Sequence, residues 1–312
     1  MKNIKIVDNL NDTALHNCVL TIGTFDGVHT GHRFIFDTLN SVAKQLNTKS
    51  VVLTFHPHPR AVIFPEKKLQ LLNTIDEKIE LIHQSGIDLI AVIPFTKEFS
   101  NTPFEFFVET LLIKELEIKG LVIGYDQHFG KNREGNYENL MALSEKYGFH
   151  LERVNPFYIN DKLVSSTLIR NAIFDSDFKT ANYLLGYDFT LTGQVVMGKQ
   201  IGRTIGFPTA NVKVKENTKM LPNSGVYIVD LVVDNTTYHA MMNIGRRPTI
   251  DDTNQEITFE VHVLNQNLDL YQKFVTIKIK QKLRDEIKFD SLQSLVNQLN
   301  IDKNTTLEYF KL

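Results

Sequence analysis

Hydrophobic residues follow two different patterns along the chain, and the change between them falls near residue 187. Before that point, short continuous apolar runs alternate with segments in which apolar residues recur every three or four positions. The runs predict buried strands and the other segments predict helices. We expect strands at 19–22, 51–55, 89–93, 120–124 and 150–154, and helices at 75–85, 103–115 and 138–147. Buried strands separated by helices are typical of an α/β fold with a parallel sheet.

After Tyr187 apolar and polar residues alternate, with interruptions by Gly, Pro and Asn. Strands are expected at 194–197, 225–229, 238–242, 257–263 and 274–279, and a last amphipathic helix at 291–299. Short alternating strands joined by turns predict an antiparallel β-barrel or sandwich. The chain has 312 residues, more than one usual domain. We therefore expect an α/β domain at 1–186 followed by a β domain at 187–312.

The composition narrows the classes of function. Hydrophobic residues make up 42% of the chain and charged residues 22%, which is ordinary for a globular protein, and no apolar run approaches the length of a membrane span. The net charge of −2 argues against nucleic-acid binding, which depends on a basic surface. A single cysteine, Cys18, excludes an intramolecular disulfide. The first residues lack the apolar core of a signal peptide, so we expect a cytoplasmic protein without membrane or nucleic-acid partners.

A glycine-rich turn with two histidines carries the strongest sign of chemistry. The segment 23–32, GTFDGVHTGH, directly follows an apolar strand and places His29 and His32 three residues apart. Glycines let the backbone approach a ligand, and the helix that begins here directs its N–H groups and its positive dipole end to the same point. Imidazoles at that point can donate hydrogen bonds to a phosphoryl group whose charge grows during transfer.

This segment resembles the signature of the HxGH nucleotidyltransferases, in the form found in bacterial bifunctional riboflavin kinase/FAD synthetases. Three more segments of the first half resemble that family: LTFHPHPR at 53–60, GYDQHFG at 124–130 and SSTLIR at 165–170. The second half resembles its riboflavin kinase part at GFPTAN (206–211), NIGRRPT (243–249) and FEVH (259–262). The resemblance covers nearly the whole chain and implies a Rossmann-like nucleotidyltransferase domain followed by a riboflavin kinase β-barrel.

For the first half, the resemblance implies transfer of an adenylyl group from ATP to FMN, with Mg²⁺, giving FAD and pyrophosphate. His29 and His32 would bind the ATP phosphates and stabilise the transition state, together with Arg170. His58 and Asp126 are implied in flavin binding. The remaining residues implied in ATP and phosphate binding are Gly23, Phe25, Asp26, Gly31, Ser166 and Thr167. Ser166 and Thr167 also fit a helix N-cap, an interpretation that is compatible with an anion site.

Three positions of the first half depart from the family pattern. His56 stands where an acidic residue is commoner, and Gln127 and His128 stand where many relatives carry an aromatic residue and an arginine. The role of His56 is therefore open, and the other two departures bear on FMN affinity. His56 and His58 could also be combined with the HxGH histidines into a metal site. No thiolate accompanies them, and we do not expect a metal site there.

For the second half, the resemblance implies transfer of the γ-phosphate of ATP to riboflavin. The chain has no GxxxxGK[ST] segment, so this activity cannot come from a P-loop. Gly202, Gly206 and Thr209 are implied in ATP binding, and Thr209 and Asn211 in binding Mg²⁺ through oxygen atoms. The alternative for the glycines is an ordinary hairpin.

Glu260 is the implied general base, which would accept the proton of the riboflavin 5′-hydroxyl. Its neighbours Phe259 and Val261 should face the other side of the strand, and the alternative is a solvated carboxylate. Arg284 and Glu286 resemble a flavin-side flap, or else the charged end of a helix. The loop before the last strand departs from the family pattern at Asn265, Gln266 and Gln272, which bears on riboflavin affinity.

The substrates and products implied are thus riboflavin, FMN, FAD and ATP. Two alternatives stay open. One half could be catalytically idle and serve as a flavin-binding or regulatory module. The protein could instead be a tRNA-directed HxGH enzyme with an RNA-binding barrel, which the balanced charge opposes. Weak self-association is also left open by the sequence.

Overall fold

The computed structural model describes residues 5–127, 130–131, 134–198, 201–214, 218–248, 255–266 and 268–312. The chain divides into two compact units. The N-terminal unit comprises Met1–Ser166 with the short segment Thr218–Met220, and the C-terminal unit comprises Thr167–Asn217 with Leu221–Leu312. The boundary at 186/187 expected from the sequence stays a prediction.

The N-terminal unit is built on a six-stranded parallel sheet in the order β1-β4-β3-β2-β5-β6. Its strands are β1 (Lys5–Val7), β2 (Cys18–Ile22), β3 (Lys49–Phe55), β4 (Leu89–Ile93), β5 (Gly120–Gly124) and β6 (His150–Val154). Its α-helices are α1 (Thr30–Gln45), α2 (Pro59–Ile63), α3 (Ile75–Gln84), α4 (Lys97–Ser100) and α5 (Tyr137–Tyr147). A 3-10 turn at Thr13–Leu15, a π-helix at Phe106–Glu115 and a small hairpin of β7 (Tyr158–Ile159) and β8 (Lys162–Leu163) complete it.

The sheet is buried on both faces. Leu20, Val51 and Leu121 belong to one apolar cluster, and Val19, Val52 and Val122 belong to a second one. Neighbouring residues of a strand point to opposite faces, so both clusters together require continuous apolar runs. The predicted α/β fold is therefore confirmed, and its loops at the carboxyl ends of β2, β3 and β5 carry the residues of the first candidate site.

The C-terminal unit contains a closed antiparallel barrel in the order β10-β13-β12-β11-β14-β9. The strands are β9 (Phe189–Val196), β10 (Ala210–Val214), β11 (Gly225–Val233), β12 (Thr236–Pro248), β13 (Gln255–Val263) and β14 (Phe274–Arg284). In β9 buried and less buried residues alternate, as expected for a barrel strand with one face in the core. The predicted antiparallel barrel is confirmed, and closure removes the sheet edges that an open sheet would expose.

Helices α6 (Ser166–Phe174), α7 (Phe178–Leu185), α8 (Ile201–Thr204) and α9 (Leu292–Phe310) complete the description. Several elements differ from expectation, and three of the differences bear on the predicted segments. The segment expected as an ordinary helix at 103–115 is a π-helix over most of its length, β10 was not expected as a strand, and α9 continues to Phe310 instead of ending at 299. Among the described residues, no helix combines the length and apolar character needed to span a membrane.

Candidate active sites

The loop between β2 and α1 has an unusual backbone. Phe25, Gly27 and Val28 have φ angles of 46°, 89° and 35°. A β-branched residue such as Val28 rarely adopts a positive φ, and such conformations cluster at active sites. Gly23 and Gly31 make room for neighbouring rings: a β-carbon on Gly23 would lie 2.8 Å from Cζ of Phe25, and one on Gly31 would lie 3.3 Å from the His29 ring.

The two HxGH histidines form a stacked pair at the N-terminus of α1. Their ring centroids are 3.6 Å apart and the planes differ by 17°. His29 is the N-cap residue, and its Nδ1 accepts a hydrogen bond from the backbone N–H of His32 at 3.3 Å. In the neutral ring of His29 the proton is therefore on Nε2, so that nitrogen is a donor.

The second histidine is held uncharged by its surroundings. Burial, His29 and Lys78 together keep the pKa of His32 well below its ordinary value. The rings of Phe25 and His32 are nearly perpendicular, with their centroids 5.3 Å apart. Within the described residues, Nδ1 of His32 is buried without a hydrogen-bond partner. A neutral imidazole is suited to donate a hydrogen bond to a phosphate oxygen.

Asp26 anchors the loop instead of pointing to solvent. Its side chain is 2% exposed, and Oδ1 accepts hydrogen bonds from the backbone N–H groups of Leu72 and Asn73 at 2.9 and 3.3 Å. Its backbone carbonyl accepts a hydrogen bond from Oγ of Ser166 at 2.8 Å. Asp26 and Ser166 thus hold the loop, and their predicted contacts with ATP remain predictions.

The other predicted residues of the first site lie at element ends. Thr167 is exposed in the first turn of α6, and Arg170 is half-buried one turn later. Nδ1 of His58 caps α2 by accepting a hydrogen bond from the N–H of Arg60 at 3.1 Å, whereas His56 is exposed. The described residues contain no group of three or more His, Cys, Asp and Glu that could hold a metal ion.

The departure at Gln127 has a structural explanation. Its Oε1 accepts a hydrogen bond from the N–H of Gly124 at 3.1 Å, and its Nε2 donates to the carbonyl of Ile22. Gln127 thus joins the carboxyl ends of the neighbouring strands β5 and β2. Asp126 is exposed beside it. His128, the other departure in this loop, lies outside the described residues.

Sequence reasoning gave no role to Lys78, which is buried behind the HxGH loop. Its side chain is 5% exposed, and Nζ lies 3.5 Å from Oγ1 of Thr54. Burial lowers the pKa of Lys78 to about 8, and Asp26 opposes that shift. A signal was present, because Lys78 shares the helical spacing of Ile75, Ile79 and Ile82 and so interrupts an apolar face.

In the C-terminal unit, strand register brings three polar residues into one row. Glu260 of β13 pairs with Asn211 of β10 on one side and with Asn243 of β12 on the other. Directly paired residues have side chains on the same face, with Cβ atoms about 4.5–5.5 Å apart. Glu260 is half-buried between the buried residues Phe259 and Val261, so the expected alternation is confirmed. Asn243 was quoted within a motif but was given no role.

The glycine loop before β10 lies against Asn211 and Thr209. A β-carbon on Gly198 would lie 2.0 Å from Nδ2 of Asn211, and one on Gly202 would lie 2.2 Å from the carbonyl oxygen of Phe207 and 3.5 Å from Oγ1 of Thr209. Gly206 has a φ of 82°. Only glycine allows these approaches, so the segment is more than a free hairpin. Lys199 and Gln200 of this loop lie outside the described residues.

His262 fixes the proline turn of this loop. Its Nδ1 is 2.8 Å from the carbonyl oxygen of Pro208, and its ring is 5.2 Å from that of Phe207. Burial lowers the pKa of His262, so the neutral ring donates its Nδ1–H to that carbonyl. Sequence reasoning quoted this histidine in a motif without assigning the contact.

The two predicted flap residues have different surroundings. Arg284 forms an ion pair with Asp302 of α9, with Nη2 2.7 Å from Oδ2, and also donates to the carbonyl of Asp285. Its guanidinium thus ties the end of β14 to α9, and a flavin contact stays a prediction. Glu286 is exposed but reaches the barrel face: its Oε1 would lie 3.0 Å from a β-carbon on Gly245, two residues from Asn243.

Two of the departures in the loop before β14 have an unusual backbone conformation. Asn265 and Gln272 have φ angles of 55° and 64°, and both residues are exposed, as is Gln266. Asparagine tolerates the left-handed region, whereas glutamine there is unusual. A glycine would suit the backbone at Gln272. Asn267 lies outside the described residues.

Comparison with known proteins supports the family resemblance of both halves of the chain. The family model for FAD synthetase matches residues 11–168, and that for riboflavin kinase matches residues 185–310. A bifunctional riboflavin kinase/FMN adenylyltransferase of Escherichia coli K12 is 35% identical over the whole chain and 99% of the relative. The protein of that name from Listeria monocytogenes is 35% identical over 94% of this chain and 93% of the relative.

A solved structure from Streptococcus pneumoniae, described as a macrolide-efflux protein, is 31% identical. It covers 97% of this chain and 98% of its own length, with a TM-score of 0.88. That likeness concerns the fold. The two family models and the full-length relatives show that the chain belongs to the family of bifunctional riboflavin kinase/FMN adenylyltransferases, enzymes that phosphorylate riboflavin to FMN and adenylylate FMN to FAD.

Proposed function

We propose that adenylyl transfer takes place at the stacked histidine pair of the N-terminal unit. The phosphate of FMN attacks the α-phosphorus of ATP, the bond to the β-phosphate oxygen breaks, and pyrophosphate leaves. His29, with its proton on Nε2, and neutral His32 donate hydrogen bonds to the phosphate oxygens as negative charge develops. The single observation that carries this assignment is the pair's position at the N-terminus of α1, where helix N–H groups and the dipole favour anions.

Other predicted residues assist by binding and by shaping the loop. Gly23, Phe25 and Gly31 set the conformation in which the histidines stack, and Asp26 holds that conformation through backbone amides. Ser166, Thr167 and Arg170 lie in α6, and the division of the chain into units falls between Ser166 and Thr167. Binding of a phosphate by their hydroxyls and guanidinium is kept as a prediction. His58 and Asp126 are assigned to the flavin side.

The row of polar residues on the barrel supports the kinase assignment. Glu260 accepts the proton of the riboflavin 5′-hydroxyl while that oxygen attacks the γ-phosphorus, and ADP leaves. Gly202, Gly206 and Thr209 bind ATP along the glycine loop. Arg284, which is paired with Asp302 of α9, and Glu286, which lies beside Gly245, are assigned to the flavin side of the site.

The residues fit Mg²⁺ in the barrel. Thr209 offers a hydroxyl oxygen and Asn211 a carbonyl oxygen, the hard donors that Mg²⁺ prefers. A β-carbon on Gly198 would collide with the side chain of Asn211, and one on Gly202 would collide with the carbonyl oxygen of Phe207, two residues before Thr209. Bound Mg²⁺ would neutralise phosphate charge, while Thr209 and Asn211 hold its place and Glu260 handles the proton.

Several finer assignments belong to the same proposal. Riboflavin, FMN and ATP are the small-molecule substrates of the family, and we add that nucleic acids and membranes are not partners, in line with the net charge of −2. A cytoplasmic location, weak self-association and a domain boundary at 186/187 are kept as predictions.

A reciprocal pair of variants tests the division of labour. His29→Ala should slow FAD formation from supplied FMN by about a hundredfold or more, the scale seen when one donor to developing charge is removed, while riboflavin phosphorylation continues. Asn211→Ala should raise the Mg²⁺ and ATP needed for riboflavin phosphorylation and leave FMN adenylylation unchanged. Each variant is the folding control for the other. If either substitution, in a folded protein, slows both reactions equally, the proposed division is wrong.

A further inference from the structure

A buried lysine behind the HxGH loop has no part in the assignments above. Nζ of Lys78 donates to Oγ1 of Thr54 at 3.5 Å, and that hydroxyl donates in turn to the carbonyl of Thr24 at 3.3 Å. Thr54 is fully buried and Lys78 is 5% exposed. This chain of hydrogen bonds links α3 to the loop after β2 through Thr54, which lies near the end of β3.

The opposite charge on the loop belongs to Asp26, which is 2% exposed. Its Oδ1 accepts the N–H groups of Leu72 and Asn73, the two residues before the N-cap of α3. Asp26 raises the pKa of Lys78 against the larger effect of burial. The loop and α3 are therefore joined by backbone amides and by two opposite buried charges.

The charge of Lys78 also reaches the histidine pair. Lys78 is one of the three causes that lower the pKa of His32, with burial and His29. Close to α3, Nζ of Lys219 lies 2.5 Å from Oε2 of Glu77 and also donates to the carbonyl of Leu72. Asp26 and His32 are thus titratable groups that interact with Lys78, and Thr54 is its neutral hydrogen-bond partner.

An apolar residue would fill the place of Lys78 without the cost of desolvating an ammonium group. What a lysine adds is a fixed positive charge close to groups that meet a triphosphate. We propose that Lys78 is a positioning residue for adenylyl transfer, which holds the loop from Gly23 to His29 through Thr54 and adds positive charge behind the histidine pair. This inference rests on the assignment of adenylyl transfer to the N-terminal unit.

The test compares Lys78→Met with Lys219→Met in the full chain. FAD formation from FMN and riboflavin phosphorylation are measured in the same preparations from pH 7 to pH 10, with thermal unfolding as the check on folding. Because the ammonium of Lys78 loses its proton as pH rises through about 8, wild-type kcat for FAD formation should fall across that range. Lys78→Met should lower kcat at pH 7 by roughly ten- to a hundredfold, lack that fall, and leave phosphorylation unchanged.

Lys219→Met removes an equally buried lysine that pairs with Glu77, so it should keep the wild-type pH profile for FAD formation. Lys78→Arg adds a second arm if the methionine variant folds poorly: arginine stays charged, so activity should persist without the fall near pH 8. The inference is overturned if Lys78→Met or Lys78→Arg keeps both the wild-type kcat and the fall. Loss of the site assignment is seen separately, as FAD formation that survives His29→Ala.

Discussion

At the scale of single residues, several polar side chains near the two sites bind the protein itself. Asp26 holds backbone amides, Gln127 joins two strand ends, and His262 donates to the carbonyl of Pro208. Substitutions there should act through the shape of the loops that carry the ligand-binding residues. The sequence allowed the residues of the motifs to be predicted, but not these contacts, because each partner is a backbone group brought close only by the fold.

Gln272 offers a test of backbone strain. A φ of 64° costs a residue with a β-carbon about 1–2 kcal/mol. Glycine adopts this φ without that strain, but it loses more conformational entropy on folding, which offsets part of the gain. Gln272→Gly should therefore stabilise the barrel by roughly 0.5–1 kcal/mol. The backbone N–H of residue 272 can still donate to the carbonyl of Val195, so that hydrogen bond is kept.

Chemical denaturation of the full chain measures this change. Gln266→Gly is the matched control, since Gln266 is an exposed glutamine of the same loop and is not among the residues with positive φ. It should give no gain in stability. An equal change in both variants would mean that the φ of Gln272 carries no strain.

At the scale of elements, apolar runs predicted the parallel strands well because both faces of that sheet are buried. Other elements depend on tertiary contacts. β10 is short and begins within the segment quoted as the GFPTAN motif, and its place is set by pairing with β9 and β13. The apolar pattern did not predict that α9 extends past 299, because the polar residue Asp302 interrupts it. In the fold, Asp302 is buried against Arg284.

The ion pair between Arg284 and Asp302 should therefore hold α9 on the barrel. Asp302 is 3% exposed, and Gln298 also donates to its Oδ1 at 2.9 Å. Asp302→Ala removes the carboxylate that pairs with Arg284 and should destabilise the barrel by about 3 kcal/mol or more, the usual result when one partner of a buried pair is removed.

The comparison for this variant is Lys273→Ala, which breaks an exposed pair with Asp234 and should change stability little. Thermal unfolding followed by calorimetry measures both. If the two variants lose the same stability, the pair between Arg284 and Asp302 does not anchor α9.

At the scale of the whole molecule, two sets of residues with different chemistry occur in one chain. The histidine pair stands at a helix N-terminus on a parallel sheet, and the row around Glu260 stands on an antiparallel barrel. The sequence could predict both sets because their motifs are local runs of residues. Lys78 and Asn243 were not assigned to these sets from the sequence, because strand register and burial place them there.

The central claim is that the two reactions use separate sets of residues, one around the histidine pair and the other around Glu260. Purified His29→Ala and Glu260→Gln variants are each incubated with riboflavin, ATP and Mg²⁺, alone and mixed, and the flavin products are identified. His29→Ala should stop at FMN, Glu260→Gln should leave riboflavin almost unchanged but make FAD from supplied FMN, and the mixture should make FAD from riboflavin. Failure of the mixture to make FAD, or FAD made from riboflavin by either variant alone at the wild-type rate, would contradict the account.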